Sequence, residues 1–333
     1  MIPLSILDLT PVSAGSTGPQ ALQNTLDLAR RADALGYTRY WLAEHHNIVS
    51  VASTAPEVLI GQVARETTRI RVGSGGIMLP NHAPLHVAET FRTLEALFPG
   101  RIDLGLGRAP GTDQLTAYAL RRSREALGAD DFPAQLAELQ AFGAASFPDD
   151  HPFHTIMAGP PDVALPPIWV LGSSGFGAQL AAEQGLGFAF AHHINPHAAV
   201  AAARTYRQNF RPSPWLAKPQ VIVAVAAVVA ETDELAREIS ASLDLVYLRL
   251  RGGRPGRIPS PAEARAYPYT PAEREVVQSM RAPQPVGSPA TVRERLLEIA
   301  EQTQADELMV NTTLYDHAAR VRSYELLAEA WAR

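Results

Sequence analysis

Short apolar segments alternate with amphipathic helical segments along the whole chain. This pattern is typical of a parallel β-sheet whose strands are covered by helices. Strands are predicted at residues 4–9, 37–43, 70–74, 101–105, 167–171, 187–191, 220–229 and 307–311. Because helical sequence follows each of these eight strands, closure into a (β/α)8 TIM barrel is favoured over a doubly wound sheet, which the pattern alone leaves open.

Glycine and proline mark several helix ends. Gly36 stands where a helix over 20–35 would end, and Pro84 suits the first turn of a helix that ends near 98–100. Further helices are predicted at 56–67, 175–184, 197–210 and 317–332.

Two segments interrupt the simple repeat. Residues 109–166, after the fourth strand, contain more than one predicted helix. Residues 251–285, after the seventh strand, begin with a glycine-rich and arginine-rich stretch and show little apolar periodicity. We predict that the second segment is a long loop acting as a mobile lid over a site, the alternative being a mobile insertion without a role. Residues 1–333 are expected to form a single domain.

Composition narrows the class of protein. Hydrophobic residues make up 46% of the 333 residues and charged residues 19%, which is enough for a large core. The absence of cysteine excludes disulfides, thiolate catalysis and Cys-ligated zinc. A net charge of −5 without a basic stripe argues against nucleic-acid binding. Neither a signal peptide nor a membrane span is recognisable, so a cytoplasmic protein is expected.

Polar groups and glycines follow four of the predicted strands. In parallel α/β barrels, such strand ends meet at one rim and form one site. The four segments are Glu44-His45-His46, Gly73-Ser74-Gly75-Gly76, Gly105-Leu106-Gly107-Arg108 and Gly172-Ser173-Ser174-Gly175. We therefore expect the chemistry at this rim, on a flat and phosphorylated ligand.

Glu44 and His45 are the titratable pair. A carboxylate and an imidazole at a strand end can bind a cofactor edge or move protons near neutral pH. A metal site is the alternative for the histidines, because those after the second and sixth strands could cluster at the rim: His45, His46, His192, His193 and His197. No His-x-His pair lies on the first strand and no His-Glu-x-x-His helix occurs, so no metal is predicted. Histidines that are merely polar rim residues remain an alternative.

The other three segments suit a flat phosphorylated ligand. Ser74, Gly75 and Gly76 let the backbone approach a ring or adopt a non-proline cis peptide, although a plain glycine-rich turn is the alternative. Arg108 offers a guanidinium to a phosphate, or pairs with Asp113. The helix start at Ser173, Ser174 and Gly175 offers free N–H groups to an anion, or is an ordinary N-cap.

Taken together, these segments resemble the bacterial luciferase-like flavin monooxygenases, in their single-chain branch. The resemblance spans nearly the whole chain and is weakest at 129–166. It is carried by WLAEHH at 41–46, RVGSGGIMLP at 71–80, RIDLGLGRAPGTD at 101–113, GSSG at 172–175, ADELMV at 305–310 and RSYELLAE at 322–329.

The resemblance implies a TIM barrel that uses FMN as reduced FMNH2, supplied by a separate NAD(P)H-dependent flavin reductase. O2 would add at the flavin C4a to give a peroxide that oxygenates a small-molecule substrate, and family members commonly form homodimers. By position, His45 corresponds to the catalytic histidine and Glu44 to a flavin-side carboxylate. Gly75-Gly76 corresponds to a non-proline cis peptide beneath the flavin. Arg108, Ser173 and Ser174 correspond to the phosphate site.

Two positions depart from light-emitting luciferases. Gly107 stands in place of a reactive thiol, and glycines replace alanines at the cis peptide, so aldehyde luminescence is not expected. The rivals are a deazaflavin-dependent hydride-transfer oxidoreductase and a non-catalytic flavin-binding protein. Strand ends suggest the substrate-pocket residues Thr10, Val12, Met78, His193, Asn195 and Tyr315.

Overall fold

In the computed structural model, residues 2–122 and 131–332 are described, and their main feature is a closed barrel of parallel strands. The strands, numbered along the chain, are β1 (Leu4–Asp8), β2 (Arg39–Leu42), β3 (Arg71–Ser74), β4 (Ile77–Met78), β5 (Ile102–Gly107), β6 (Ile168–Gly172), β7 (Gly187–Ala191), β8 (Val221–Ala226), β9 (Val228–Val229), β10 (Val286–Gly287) and β11 (Glu307–Asn311).

Around the barrel the order is β3-β2-β1-β11-β8-β7-β6-β5, and pairing of β3 with β5 closes it. The short strand β4 pairs with the far end of β5. The predicted (β/α)8 TIM barrel is therefore confirmed, and the doubly wound alternative is wrong. The described helices span Gly18–Leu35, Pro56–Glu66, Pro84–Leu97, Gln114–Arg121, Phe132–Ala144, Gly175–Gln184, Ala199–Asn209, Asp233–Ile239, Ala241–Arg251, Pro261–Ala266, Pro271–Arg281, Pro289–Thr303 and His317–Trp331.

Local signals explain the ends of the first helix. Gly36 has φ 82°, and its N–H bonds to carbonyls of the last turn, as predicted. The helix begins at Gly18, two residues earlier than predicted, because Thr17 caps it by accepting a hydrogen bond from the Gln20 N–H. None of the helices in the described residues combines the length and apolar composition that crossing a bilayer requires.

The insertion after β5 contains the helices Gln114–Arg121 and Phe132–Ala144, in agreement with the prediction of more than one helix at 109–166. Residues 123–130 of this segment lie outside the described residues.

The segment after β8 differs from its prediction. The predicted strand at 220–229 is divided at Ala227, and its second part, β9, pairs with β10 in a separate two-stranded sheet. The predicted long loop at 251–285 is wrong, because the helices Pro261–Ala266 and Pro271–Arg281 lie within it. Ser260 and Thr270 cap these two helices, and Thr270 forms a capping box with Glu273. A lid role for this segment remains a prediction.

The interior of the barrel is filled at its amino-terminal end. Arg39 bonds to Asp103 at 2.8 Å and to Glu307 at 3.0 Å, in a buried charged layer. Above this layer the rings of Trp41 and Trp169 pack edge to face with centroids 5.8 Å apart. Open space in the barrel therefore lies toward the carboxyl ends of the strands.

Candidate active site

A cavity of about 410 Å³ opens at the carboxyl ends of the strands. Part of its wall is formed by inward-facing residues that recur at every second position along the strands and just past their ends. Leu7 in β1 and Leu9 just after it show this alternation, as do Trp41 in β2 and Ala43 just after it. The cavity therefore lies at the rim that the four segments predicted.

His45 lines this cavity. Its backbone N–H donates to the Ser53 carbonyl at 3.0 Å, which fixes the loop after β2. Its Nδ1 atom is buried and has no hydrogen-bond partner within the described residues. Burial lowers the pKa of His45. The negative charge of Glu44 opposes this shift, and the nearby His193 adds to it. The neutral imidazole can therefore accept a proton at neutral pH.

Glu44 does not line the cavity, and its contact with a cofactor remains a prediction. Its carboxylate is buried and accepts hydrogen bonds from Nε2 of His46 and Nε2 of His82, both at 2.9 Å, and from the Met78 N–H at 2.8 Å. Burial opposes its ionisation, but these hydrogen bonds keep the pKa of Glu44 below its usual value. Burial also opposes protonation of His82, whose pKa the Glu44 carboxylate nevertheless raises. Glu44 is thus a positioning residue that joins two loops of the rim.

The Gly75-Gly76 peptide is cis, as the resemblance predicted. Gly75 lines the cavity, and a Cβ there would lie 2.6 Å from Leu7 Cδ1. Ser74, in contrast, is buried, and its hydroxyl donates to the Gly105 carbonyl at 2.8 Å. The side chain of Ser74 therefore joins β3 to β5, and a contact of Ser74 with a cofactor remains a prediction. Gly76 does not line the cavity either, and its missing side chain makes room for the Gly105 carbonyl.

Arg108, Ser173 and Ser174 all line the cavity, and we call the part that they line the corner. The Arg108 guanidinium carbon lies 4.2 Å from the centroid of the Phe176 ring. Ser174 is the N-cap of the helix Gly175–Gln184, but its side chain makes no capping hydrogen bond. Ser174 therefore does not cap the helix through its side chain, and among the residues that the structure describes no side chain accepts from the first N–H groups of this helix. The alternative partner of Arg108, Asp113, accepts hydrogen bonds from Asn47 and Thr116.

Of the suggested substrate-pocket residues, Met78 and His193 line the cavity. Thr10 does not, because it is fully buried and its N–H bonds to Asp8 at 2.7 Å. Asn195 does not line the cavity either, and its Nδ2 donates to the Ser173 carbonyl at 3.0 Å.

Val12 and Tyr315 also lie away from the cavity. The Val12 carbonyl accepts a hydrogen bond from the Ile258 N–H, and the Tyr315 carbonyl accepts one from the Ser13 hydroxyl. Thr10, Val12, Asn195 and Tyr315 were therefore wrong as lining residues.

Several lining residues were not predicted. Alternation along the strands would have found Trp41, Leu171 and Met309, which point inward. Phe132 comes from the insertion, and no sequence signal indicates it. Within the described residues, no group of three or more histidine, aspartate or glutamate side chains is placed to hold a metal ion.

The model of the luciferase-like monooxygenase family matches residues 2–307, and this chain belongs to that family. A luciferase-like monooxygenase from Escherichia coli K12 is 45% identical over 325 residues, which is 98% of this chain and 96% of the relative. The N-acetyl-S-alkylcysteine monooxygenase of Bacillus subtilis is 35% identical over 332 residues, covering 99% and 98% of the two chains. The expected class, an oxidoreductase of the flavin-dependent monooxygenase type, is confirmed.

Solved structures agree on the fold. The crystal structure of apo-MsnO8 superposes with a TM-score of 0.90 at 40% identity, covering 99% of this chain and 98% of the other. Two distant neighbours differ in cofactor. The oxygenating constituent of 3,6-diketocamphane monooxygenase from Pseudomonas putida, in complex with FMN, has a TM-score of 0.74 at 19% identity and coverages of 99% and 97%. An F420-dependent secondary alcohol dehydrogenase has a TM-score of 0.70 at 14% identity and coverages of 99% and 98%.

Proposed function

We propose that this chain is the oxygenase of a two-component system. It would take FMNH2 from a separate NAD(P)H-dependent flavin reductase and use O2 to oxygenate a small organic substrate. The bound flavin would supply the redox chemistry, through the C4a-peroxide that the resemblance implies, while the protein supplies orientation, a dry pocket and proton control. A cytoplasmic location and a homodimer remain predictions.

The observation that carries this proposal is the corner formed by Arg108, Ser173 and Ser174. A guanidinium, two hydroxyls and a helix start without a side-chain cap make a donor set suited to a phosphate dianion. Among the described lining residues there is no aspartate or glutamate that would repel the phosphate. These residues would hold the FMN phosphate.

The cavity next to this corner suits the ring system of a flavin. Gly75 brings bare backbone to the cavity wall, and Leu7, Trp41 and Met309 add apolar surface. An isoalloxazine ring is flat and largely apolar, so this surface would bind it and exclude water from its reactive face. His45 would exchange a proton with the flavin or the substrate from its position in the wall.

A deazaflavin-dependent enzyme is the second candidate, and the F420-dependent neighbour shows that this barrel also serves that chemistry. The third is a flavin-binding protein without turnover. Reaction with oxygen separates the first candidate from the other two, because neither hydride transfer to or from a deazaflavin nor plain flavin binding consumes O2 in turnover. Reduction of a deazaflavin then separates the second candidate from the third.

The decisive experiment is rapid mixing of the protein and anaerobically reduced FMN with oxygenated buffer, followed by absorbance. We expect a long-lived species whose spectrum differs from both oxidised and fully reduced FMN. The control is the same mixture without protein. Reoxidation at the rate of free flavin would contradict the proposal, and reduction of a deazaflavin by an alcohol would support the second candidate.

A further inference from the structure

His193 is the second imidazole in the cavity wall, and its ring is held in one orientation. Its backbone N–H and its Nδ1 both bond to the Ala224 carbonyl, at 3.1 Å and 3.0 Å. Since a carbonyl oxygen can only accept, Nδ1 must carry the proton. In the neutral ring, Nε2 then carries a lone pair and is directed away from Ala224.

The Nε2 atom of His193 is left for a ligand. Within the described residues it has no hydrogen-bond partner, and it is not among the polar atoms that are fully buried. Burial lowers the pKa of His193, in spite of the hydrogen bond to Ala224, so the ring is neutral near pH 7. His193 therefore offers an acceptor, and not a positive charge, to the cavity.

The rest of the wall limits the charge of the molecule that binds there. Among the described residues that line the cavity, Arg108 is the one with a permanently charged side chain, and it belongs to the proposed phosphate corner. A carboxylate placed against Leu9, Ala191 and Ala224 would lose water without gaining a counter-ion. An uncharged molecule would avoid this cost of desolvation.

We propose that His193 is a substrate-positioning residue whose Nε2 accepts a hydrogen bond from a hydroxyl or N–H group of an uncharged substrate with an apolar body. This inference rests on the proposed function, because the flavin phosphate would occupy the corner at Arg108 and His193 would then be left to the substrate. Specificity would come from the buried acceptor, which is left unpaired by an analogue without the donor.

The test compares two isomeric probes, n-heptanol and methyl hexyl ether, in calorimetric titrations of the full chain without flavin. They have the same atoms and similar shape, but only the alcohol donates a hydrogen bond. We expect the alcohol to bind roughly five-fold more tightly, the worth of one hydrogen bond. Heptanoate should bind more weakly than the alcohol.

Two substitutions at His193 distinguish the Nε2 acceptor from the hydrogen bond that Nδ1 makes to the Ala224 carbonyl. His193→Asn keeps a donor for the Ala224 carbonyl but places no group at the Nε2 position, so the preference for the alcohol should disappear. His193→Gln places an amide oxygen near the Nε2 position and should retain the preference for the alcohol. His192→Asn is the matched control, because this neighbouring buried histidine does not line the cavity.

Heteronuclear NMR of the histidine side-chain nitrogens gives an independent readout, and we expect the Nδ1–H tautomer at His193. Equal affinities for the two probes, including no measurable binding of either, or an Nε2–H tautomer, would overturn the inference. Because these experiments contain no flavin, such a result would leave the FMN proposal standing. A failure to bind reduced FMN would likewise leave the tautomer and the probe preference as they are.

Discussion

The Nε2 atom of His82 lies 2.9 Å from Oε1 of Glu44, across 38 residues of chain. Glu44 is also bonded to His46 and to the Met78 N–H, so one buried carboxylate holds the loop after β2 to the segment after β3. These loops present His45 and Gly75 to the cavity. The stability of the rim therefore depends on a carboxylate that does not itself line the cavity.

Replacing this carboxylate should destabilise the fold. Glu44→Gln leaves three buried donors with one weaker acceptor, and we expect a loss of about 2 kcal/mol in the free energy of unfolding. Urea denaturation followed by circular dichroism measures it. Asp149→Asn is the control, since this carboxylate is fully exposed. Equal stability of Glu44→Gln and wild type would show that the network contributes little.

The same network predicts a pH dependence of stability. The pKa of His82 is raised above 6.5 in the folded protein, so its contribution is complete below pH 6.5 and is lost as the pH rises through the folded value. The pKa of Glu44 is lowered below 4.5, so its contribution is present above pH 4.5 and is lost as the pH falls through the folded value.

The difference in unfolding free energy between wild type and His82→Gln should therefore shrink from about pH 6 toward about pH 9. Chemical denaturation across this range measures the difference. A difference that stays constant with pH would show that His82 is not protonated in the folded state.

Removing the guanidinium of Arg108 should weaken flavin binding. Loss of one charge-assisted phosphate contact is worth roughly ten-fold to a hundred-fold in Kd. We expect this increase for Arg108→Ala in a titration of FMN followed by flavin fluorescence, with unfolding unchanged because Arg108 is exposed. Arg237→Ala is the control: it removes an exposed arginine from the surface helix Asp233–Ile239 and should bind FMN as wild type does. An unchanged Kd for FMN in Arg108→Ala would show that Arg108 does not bind the phosphate.

The role of His45 should appear in pH profiles. Since burial lowers its pKa below 6.5, the lifetime of the oxygen-reactive flavin should be constant above this pH and change as the pH falls below it. In His45→Asn this pH dependence should be absent. His86→Asn, on an exposed helix position, is the control. A profile that is identical in wild type and His45→Asn would exclude His45 as the titrating group.

Gly105 is required by close packing of β3 against β5. A Cβ at Gly105 would lie 2.1 Å from the Ser74 carbonyl oxygen, which is part of the backbone and cannot rotate away. We expect Gly105→Ala to lose about 3 kcal/mol or more of unfolding free energy. Gly18→Ala is the matched control, because nothing lies within 4 Å of a Cβ there. Thermal unfolding of the two variants distinguishes them, and equal melting temperatures would contradict this account.

Much of this protein is determined locally by its sequence. Apolar strand segments, proline at helix starts and Gly36 at a helix end predict the barrel, because each signal acts within a few residues. The rim segments were found for the same reason, since the ends of parallel strands meet in any barrel. The identity of Arg108, Ser173 and His45 as cavity residues followed from this rule.

Only the tertiary structure decided which neighbour in each segment faces the cavity. Glu44 and His45 are adjacent, as are Ser74 and Gly75, yet in each pair only the second lines the wall. The lining residues Trp41, Ala43 and His45 recur at every second position, but the sequence does not show how far past a paired strand this alternation continues or which partners hold the other side chains. Hydrogen bonds from Met78 and His82 hold the Glu44 carboxylate outside the cavity wall. A hydrogen bond to the Gly105 carbonyl holds the Ser74 hydroxyl in the same way. Such contacts join residues more than thirty positions apart, and a local pattern contains no record of them.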